Sequence, residues 1–120
     1  MIRPSISNIE GRSSARDFTD VRDVVVAYHL LMQQGKVGEI YNVGSGKAVE
    51  IGKILDQLLA LAHKSLQKIS DREKLRPVDN PMVQADIGKI KALGWLPKIP
   101  LAQTLADVLE SSRQAFARAA

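Results

Sequence analysis

Two arginines and an aspartate stand where they could hold a phosphate ester. Arg16 lies where a loop passes into a short strand, four residues before Asp20. Its planar fork could make two parallel charge-assisted hydrogen bonds to a diphosphate; an ion pair with Asp17 or Asp20 is the plainer use of the same charge. Arg76 and Asp79 are three residues apart in a segment that Pro77 and Pro81 keep extended. Arg76 could take a phosphate and Asp79 could accept from ribose hydroxyls, as acidic residues do in dinucleotide sites. A solvated salt bridge is the alternative for that pair. Asn42, at the end of Tyr41-Asn42-Val43-Gly44, could contact a ligand or tie down a neighbouring backbone loop.

Composition narrows the ligand. Seventeen Lys and Arg against thirteen Asp and Glu give a net charge of +4, but the basic residues are dispersed and do not form a block. Aromatics at 4% are too few for the stacking platforms that bind single-stranded nucleic acid. A small anionic ester fits this better than a nucleic acid. Without cysteine there is no disulfide or thiolate chemistry, and the distant His29 and His63 make no metal-ligand pattern. No apolar run reaches the roughly 18 residues that span a bilayer, and Met1-Ile2-Arg3-Pro4 lacks the layout of a signal peptide. A cytoplasmic protein is expected, with neither membrane nor nucleic acid as partner.

The elements that must position these residues are legible from periodicity. Residues 1–14, rich in Pro, Ser, Asn and Gly, read as a loop or disordered N-terminus, with one domain over 15–120. Residues 16–19 suit a short strand. Asp20 then caps a helix whose apolar positions Val21, Val24, Val25, Tyr28, Leu31 and Met32 share a face, ended by Gly35 at C′. Glu39–Val43 reads as a buried strand, and Gly44-Ser45-Gly46 as a turn; its spacing matches neither common phosphate-loop pattern. A second helix presents Ile51, Ile54, Leu55, Leu58, Leu59 and Ala62. Leu66–Ile69 suits an edge strand, and 70–84 an extended surface segment. Asp86 caps a short helix through Ile90 and Leu93 that Gly94 terminates. Pro100 opens a last helix with Leu101, Leu105, Val108 and Leu109 inward. Trp95 is expected in the core and Phe18 beneath Arg16. The sum is a small α+β domain of about four helices and two or three short strands.

Four segments in fixed order, Ala15-Arg16-Asp17-Phe18 through Val24, Ile40–Gly46, Leu75–Pro81 and Leu93-Gly94-Trp95-Leu96-Pro97, resemble the carboxy-terminal, substrate-binding part of an extended short-chain dehydrogenase/reductase. The similarity is to the group of GDP-mannose 4,6-dehydratases and GDP-4-keto-6-deoxymannose reductases, and it covers about residues 15–112. It implies that Arg16 and Arg76 face the diphosphate of a nucleotide sugar, most simply a GDP-linked hexose. It further implies that Asp79 meets the ribose, that Asn42 marks the strand supporting the pocket, and that Trp95 packs. The Arg-Pro-x-Asp form at 76–79 is the form of the reductases.

That family's reaction uses a glycine-rich turn for NAD or NADP and a Tyr-x-x-x-Lys pair. Tyr28 and Tyr41 are followed four residues on by Met32 and Ser45. No catalytic residue and no cofactor are therefore assigned to this chain, which is expected to be a truncated form, inactive alone. A self-associating interaction module is the alternative, because the surface that meets the nucleotide-binding half is expected to be apolar and to drive a homo-oligomer, with exchange of the amino-terminal segment as one route.

Overall fold

The computed structural model describes residues 5–7, 14–69 and 81–119. In chain order these form β1 (Ser5–Ser7), β2 (Ala15–Asp17), α1 (Val21–Gln34), β3 (Ala48–Glu50), α2 (Ile51–Leu61), β4 (Gln67–Ile69), α3 (Gly88–Ala92) and α4 (Leu101–Ala119). The α+β class and the four helices are as expected. The strands number four among the described residues, each of three residues, and β1 falls inside the amino-terminal stretch expected to lack order.

β2 organises the site. It pairs antiparallel with β3, Ala15 opposite Glu50, Arg16 opposite Val49 and Asp17 opposite Ala48. On its other edge Ala15 is bridged in parallel to Met82; the Ala15 N–H donates to the Pro81 carbonyl (2.8 Å) and the Val83 N–H to the Ala15 carbonyl (3.0 Å). A separate pair joins β1 to β4 in parallel.

Ala27, Ile90 and Trp95 form the buried centre, with Leu30, Leu31, Tyr41, Val43 and Ile87 against it. Leu55 and Leu105 are buried in the two helices that pack together, α2 and α4. This placement corrects the expected face of α1 in part: Leu31 packs against the core and Val24 is half-buried, but the rest of that face is not buried. Its buried residues are Asp23 and Ala27, whereas Val21, Val25, Tyr28 and Met32 are exposed, Met32 at 88%. A helix with apolar residues on more than one side does not reveal from periodicity which side finds a partner. Val108 is likewise exposed, while Leu101 and Leu109 are half-buried.

Residues 39–43 do not form the expected strand. They keep strand-like alternation, with Tyr41 and Val43 turned to the core and Ile40 and Asn42 exposed. No backbone ladder reaches residues 40–43 among the described residues. The segment is pinned by side chains instead: Lys89 Nζ donates to Glu39 Oε2 (2.6 Å) and to the Ile40 carbonyl (3.0 Å), and the Lys36 N–H donates to Tyr41 Oη. An extended segment becomes a strand only where a second one lies beside it.

Gly35 ends α1 as expected, but in extended rather than left-handed conformation. Glycine is needed there because a Cβ would lie 2.5 Å from the Leu31 carbonyl oxygen. The left-handed stop after α2 is made by His63 (φ 54°) and that after α3 by Gly94 (φ 97°). Asp86 accepts from the Gly88 N–H (3.0 Å), although Ile87 holds the cap position.

Candidate functional site

Three aspartates at spacing i, i+3, i+6 leave β2 and enter α1, and each clamps a different part of the chain. The Asp17 carboxylate accepts from the Ser45 N–H (2.8 Å), Ser45 Oγ (2.7 Å), the Gly46 N–H (2.9 Å), the Ala85 N–H (3.2 Å) and Thr19 Oγ1 (3.2 Å). Burial pushes its carboxyl up, but the Ser45, Ala85 and Gly46 hydrogen bonds outweigh that and hold it below the ordinary value.

Asp20 caps α1 through the Arg22 N–H (2.9 Å). It also takes the Arg22 guanidinium with both oxygens (2.9 and 2.8 Å) and the Thr104 hydroxyl (2.7 Å). Arg22 reaches on to Asp107 (2.8 Å), tying the start of α1 to α4. The Arg22 hydrogen bond, then that of Thr104, holds the Asp20 carboxyl well below the usual carboxylate range.

Asp23, buried on α1, accepts from the Lys98 N–H (3.1 Å) and the Ile99 N–H (3.0 Å), and its carbonyl accepts from Trp95 Nε1 (3.0 Å). The residues Asp17 and Asp23 were not singled out by sequence reasoning. Their i, i+3, i+6 spacing around a cap was the available signal, but carboxylates at a helix start are ordinarily solvated.

Arg16 makes neither of the ion pairs considered for it. The acceptors of Asp17 and Asp20 are spent on the groups above, and the Arg16 guanidinium donates to its own Ala15 carbonyl (2.8 Å). Among the described residues it meets no carboxylate. Alternation puts Arg16 and Val49 on one face and Ala15, Asp17, Ala48 and Glu50 on the other. Continuing on the Arg16 face, Phe18 and Lys47 follow, and both line a cavity of about 350 Å³ with Val49, Lys98, Ile99 and Leu101.

Asn42 is exposed and makes no hydrogen bond among the described residues, so it does not tie down a loop there. Arg76 and Asp79 lie outside the described residues, as does most of the extended segment that carries them; that segment resumes at Pro81, hydrogen-bonded to Ala15. Trp95 is buried as expected and Phe18 half-buried.

The Gly44-Ser45-Gly46 turn does not fit the phosphates of a dinucleotide. Its N–H groups at 45 and 46 already hold the Asp17 carboxylate, and a Cβ on Gly44 would meet Ala85 Cβ at 2.6 Å. The described residues contain no cluster of metal-ligating side chains and no helix long and apolar enough to cross a membrane.

Four helices with short strands, and an arginine on the strand between two extended neighbours, are the small α+β arrangement that the comparison with solved structures places among the short-chain dehydrogenases/reductases. The solved structures agree. The chain superposes on RMD from Pseudomonas aeruginosa complexed with NADPH with a TM-score of 0.78 at 31% identity, covering 90% of this chain and 35% of that one. On UDP-glucose 4-epimerase from Thermotoga maritima with UDP-glucose the TM-score is 0.83 at 26% identity, over 93% and 36%.

The chain belongs to the GDP-mannose 4,6 dehydratase family, whose model matches residues 6–108. GDP-6-deoxy-D-mannose reductase of Pseudomonas aeruginosa is 32% identical over 96 residues, 79% of this chain and 32% of the relative. Human dTDP-D-glucose 4,6-dehydratase is 28% identical over 106 residues, 84% and 30%. The chain therefore spans about a third of the length of the curated relatives it matches.

Proposed function

We propose that this chain is the nucleotide-sugar-binding domain of a protein like the GDP-mannose 4,6-dehydratases and GDP-4-keto-6-deoxymannose reductases, taking a GDP-linked hexose and supplying no catalytic residue by itself. The observation that carries the reading is Arg16: a half-buried arginine on the strand between β3 and the 81–83 segment, with its charge unmatched among the described residues. In this reading Arg16 and Arg76 grip the diphosphate and Asp79 accepts from the ribose. Pro81, bonded to Ala15, follows Asp79 by two residues and Arg76 by five, a short tether to the same edge. The exposed Asn42 amide is available to the ligand. The guanine base is supported by the family and by the Pseudomonas aeruginosa relative. NAD or NADP belongs to the proposed parent enzyme and is held outside this chain.

Calorimetric titration with GDP, GDP-mannose, UDP-glucose and dTDP-glucose tests the reading. GDP should bind more tightly than GMP or guanosine. Arg16→Ala should weaken GDP by roughly 10-fold to 150-fold, the equivalent of one charge-assisted contact, and leave guanosine little changed. Asp79→Ala should weaken both. No binding of any of these nucleotides at several millimolar would overturn it. Turnover of GDP-mannose with NADP is expected to stay at the buffer control.

A second reading, self-association, would draw on Val21, Val25, Tyr28 and Met32, which are exposed along α1. Apolar stripes of this kind are buried by association when nothing in the chain covers them.

A further inference from the structure

We propose that Lys47 and Lys98 form a second anion-binding arm for the phosphate of the ligand, both lining with Phe18 and Val49 a cavity on the strand face that carries Arg16. The proposal rests on the nucleotide-sugar reading and adds to it two residues that lie just after motif segments, Lys47 after Gly46 and Lys98 after Pro97.

The register brings the first lysine there. Arg16 stands opposite Val49, and Lys47 is the next residue of that strand's run on the same face, a diagonal neighbour about 7–8 Å away between Cα atoms. The alternation holds beyond the ladder, since Phe18, Lys47 and Val49 all line the one cavity. Lys98 lines the same cavity with its neighbours Pro97, Ile99, Pro100 and Leu101.

Both lysines are carried on clamped backbone. The Lys47 N–H donates to Ser45 Oγ (3.1 Å); Ser45 is itself held by Asp17, to which its N–H and its hydroxyl donate. The Lys98 N–H is held by buried Asp23. Asp17, through Ser45, and Asp23 thus hold the backbone that carries the two lysines, and neither carboxylate pairs with an ammonium group. Among the described residues neither ammonium group has a hydrogen bond or ion pair. Asp20, the carboxylate in the cavity wall, is already engaged by Arg22 and Thr104.

A cavity of about 350 Å³ is within the range of small-ligand sites. Its apolar floor strengthens the attraction between a lysine and a bound anion relative to open water. Both lysines remain exposed, so each contact is screened and modest, about fivefold in affinity.

The test is an NMR titration of the ¹⁵N-labelled protein with sodium pyrophosphate and, separately, GDP, at low salt. The wild type is compared with Lys47→Gln, Lys98→Gln, the double variant and Arg16→Gln. Both lysines are on the surface, and unshifted core amides will show that each variant is folded. Pyrophosphate should move the amides of residues 47, 48, 98 and 99. Each lysine variant should weaken pyrophosphate and GDP about fivefold and the double variant about 25-fold, with guanosine unaffected and the difference shrinking as salt is added.

Lysine variants that bind like the wild type while Arg16→Gln loses affinity would overturn the lysine arm and leave the nucleotide-sugar reading standing. The reverse result, loss of pyrophosphate in the lysine variants with no preference for GDP or GDP-mannose over pyrophosphate, would sustain the arm and defeat that reading. No response of the wild type to pyrophosphate would overturn the arm.

Discussion

Replacing Asp17 by Ala should destabilise the fold more than any change at Arg16. The substitution strands the N–H groups of Ser45, Gly46 and Ala85, which now donate to one carboxylate at 2.8–3.2 Å, while the Ser45 hydroxyl can turn to the Lys47 carbonyl (3.0 Å). Stranding a buried donor costs about 1–3 kcal/mol. The site is only partly buried, so water can recover some of these bonds, and the losses are not additive. About 3–5 kcal/mol in total is expected, against the roughly 5–15 kcal/mol that holds a domain together. Asp17→Asn keeps one acceptor oxygen of the same shape and should lose about half as much.

Urea unfolding followed by the fluorescence of Trp95, whose ring is buried against α1, measures both variants against the wild type. The midpoint should fall in the order wild type, Asn, Ala, with little change in slope. An Ala variant within about 1 kcal/mol of the wild type would refute the view that this carboxylate holds the 44–46 turn and the 85 region to β2.

Acid should unfold the protein through the same groups. The Asp17 and Asp20 carboxyls are held below their ordinary value of 3.8, so their contribution is complete above the unfolded value. It is lost as pH falls from about 5 downward through the folded values; stability that is flat with pH between 7 and 2 in circular-dichroism melts would contradict this. Gly44→Ala should cost about 1–3 kcal/mol by thermal melt, because the new Cβ would press on Ala85 and Asp17. The double change Val25→Lys and Met32→Lys on the exposed stripe of α1 should alter stability by less than about 1 kcal/mol. By light scattering at high micromolar concentration it should abolish the self-association expected of the wild type.

Much of the local structure was readable because its causes are local. Asp20 caps α1 through an N–H two residues away, Gly94 turns left-handed where α3 stops, and Trp95 with its flanking Gly94 and Pro97 reads as a packed ring. The order of the segments around Arg16, Asn42 and Trp95 was enough to identify the family. Arg76 and Asp79 stay with the sequence reading, since they fall outside the described residues.

What only the tertiary structure decided is which partners each residue finds. Val21, Val25, Tyr28 and Met32 have the spacing of a core face, yet Ala27 on another side of α1 is the residue that meets Ile90 and Trp95. Residues 39–43 have the pattern of a strand and no ladder among the described residues, because pairing depends on a neighbour distant in sequence. The three aspartates look alike in sequence. Contacts 28 to 84 residues away make one the clamp of the glycine turn and of Ala85, one the tie to Thr104, and one the holder of Lys98 and Ile99. Periodicity reports the chemistry each residue offers along the chain; the long-range packing of β2, α1 and the 95–104 region determines which acceptors are consumed.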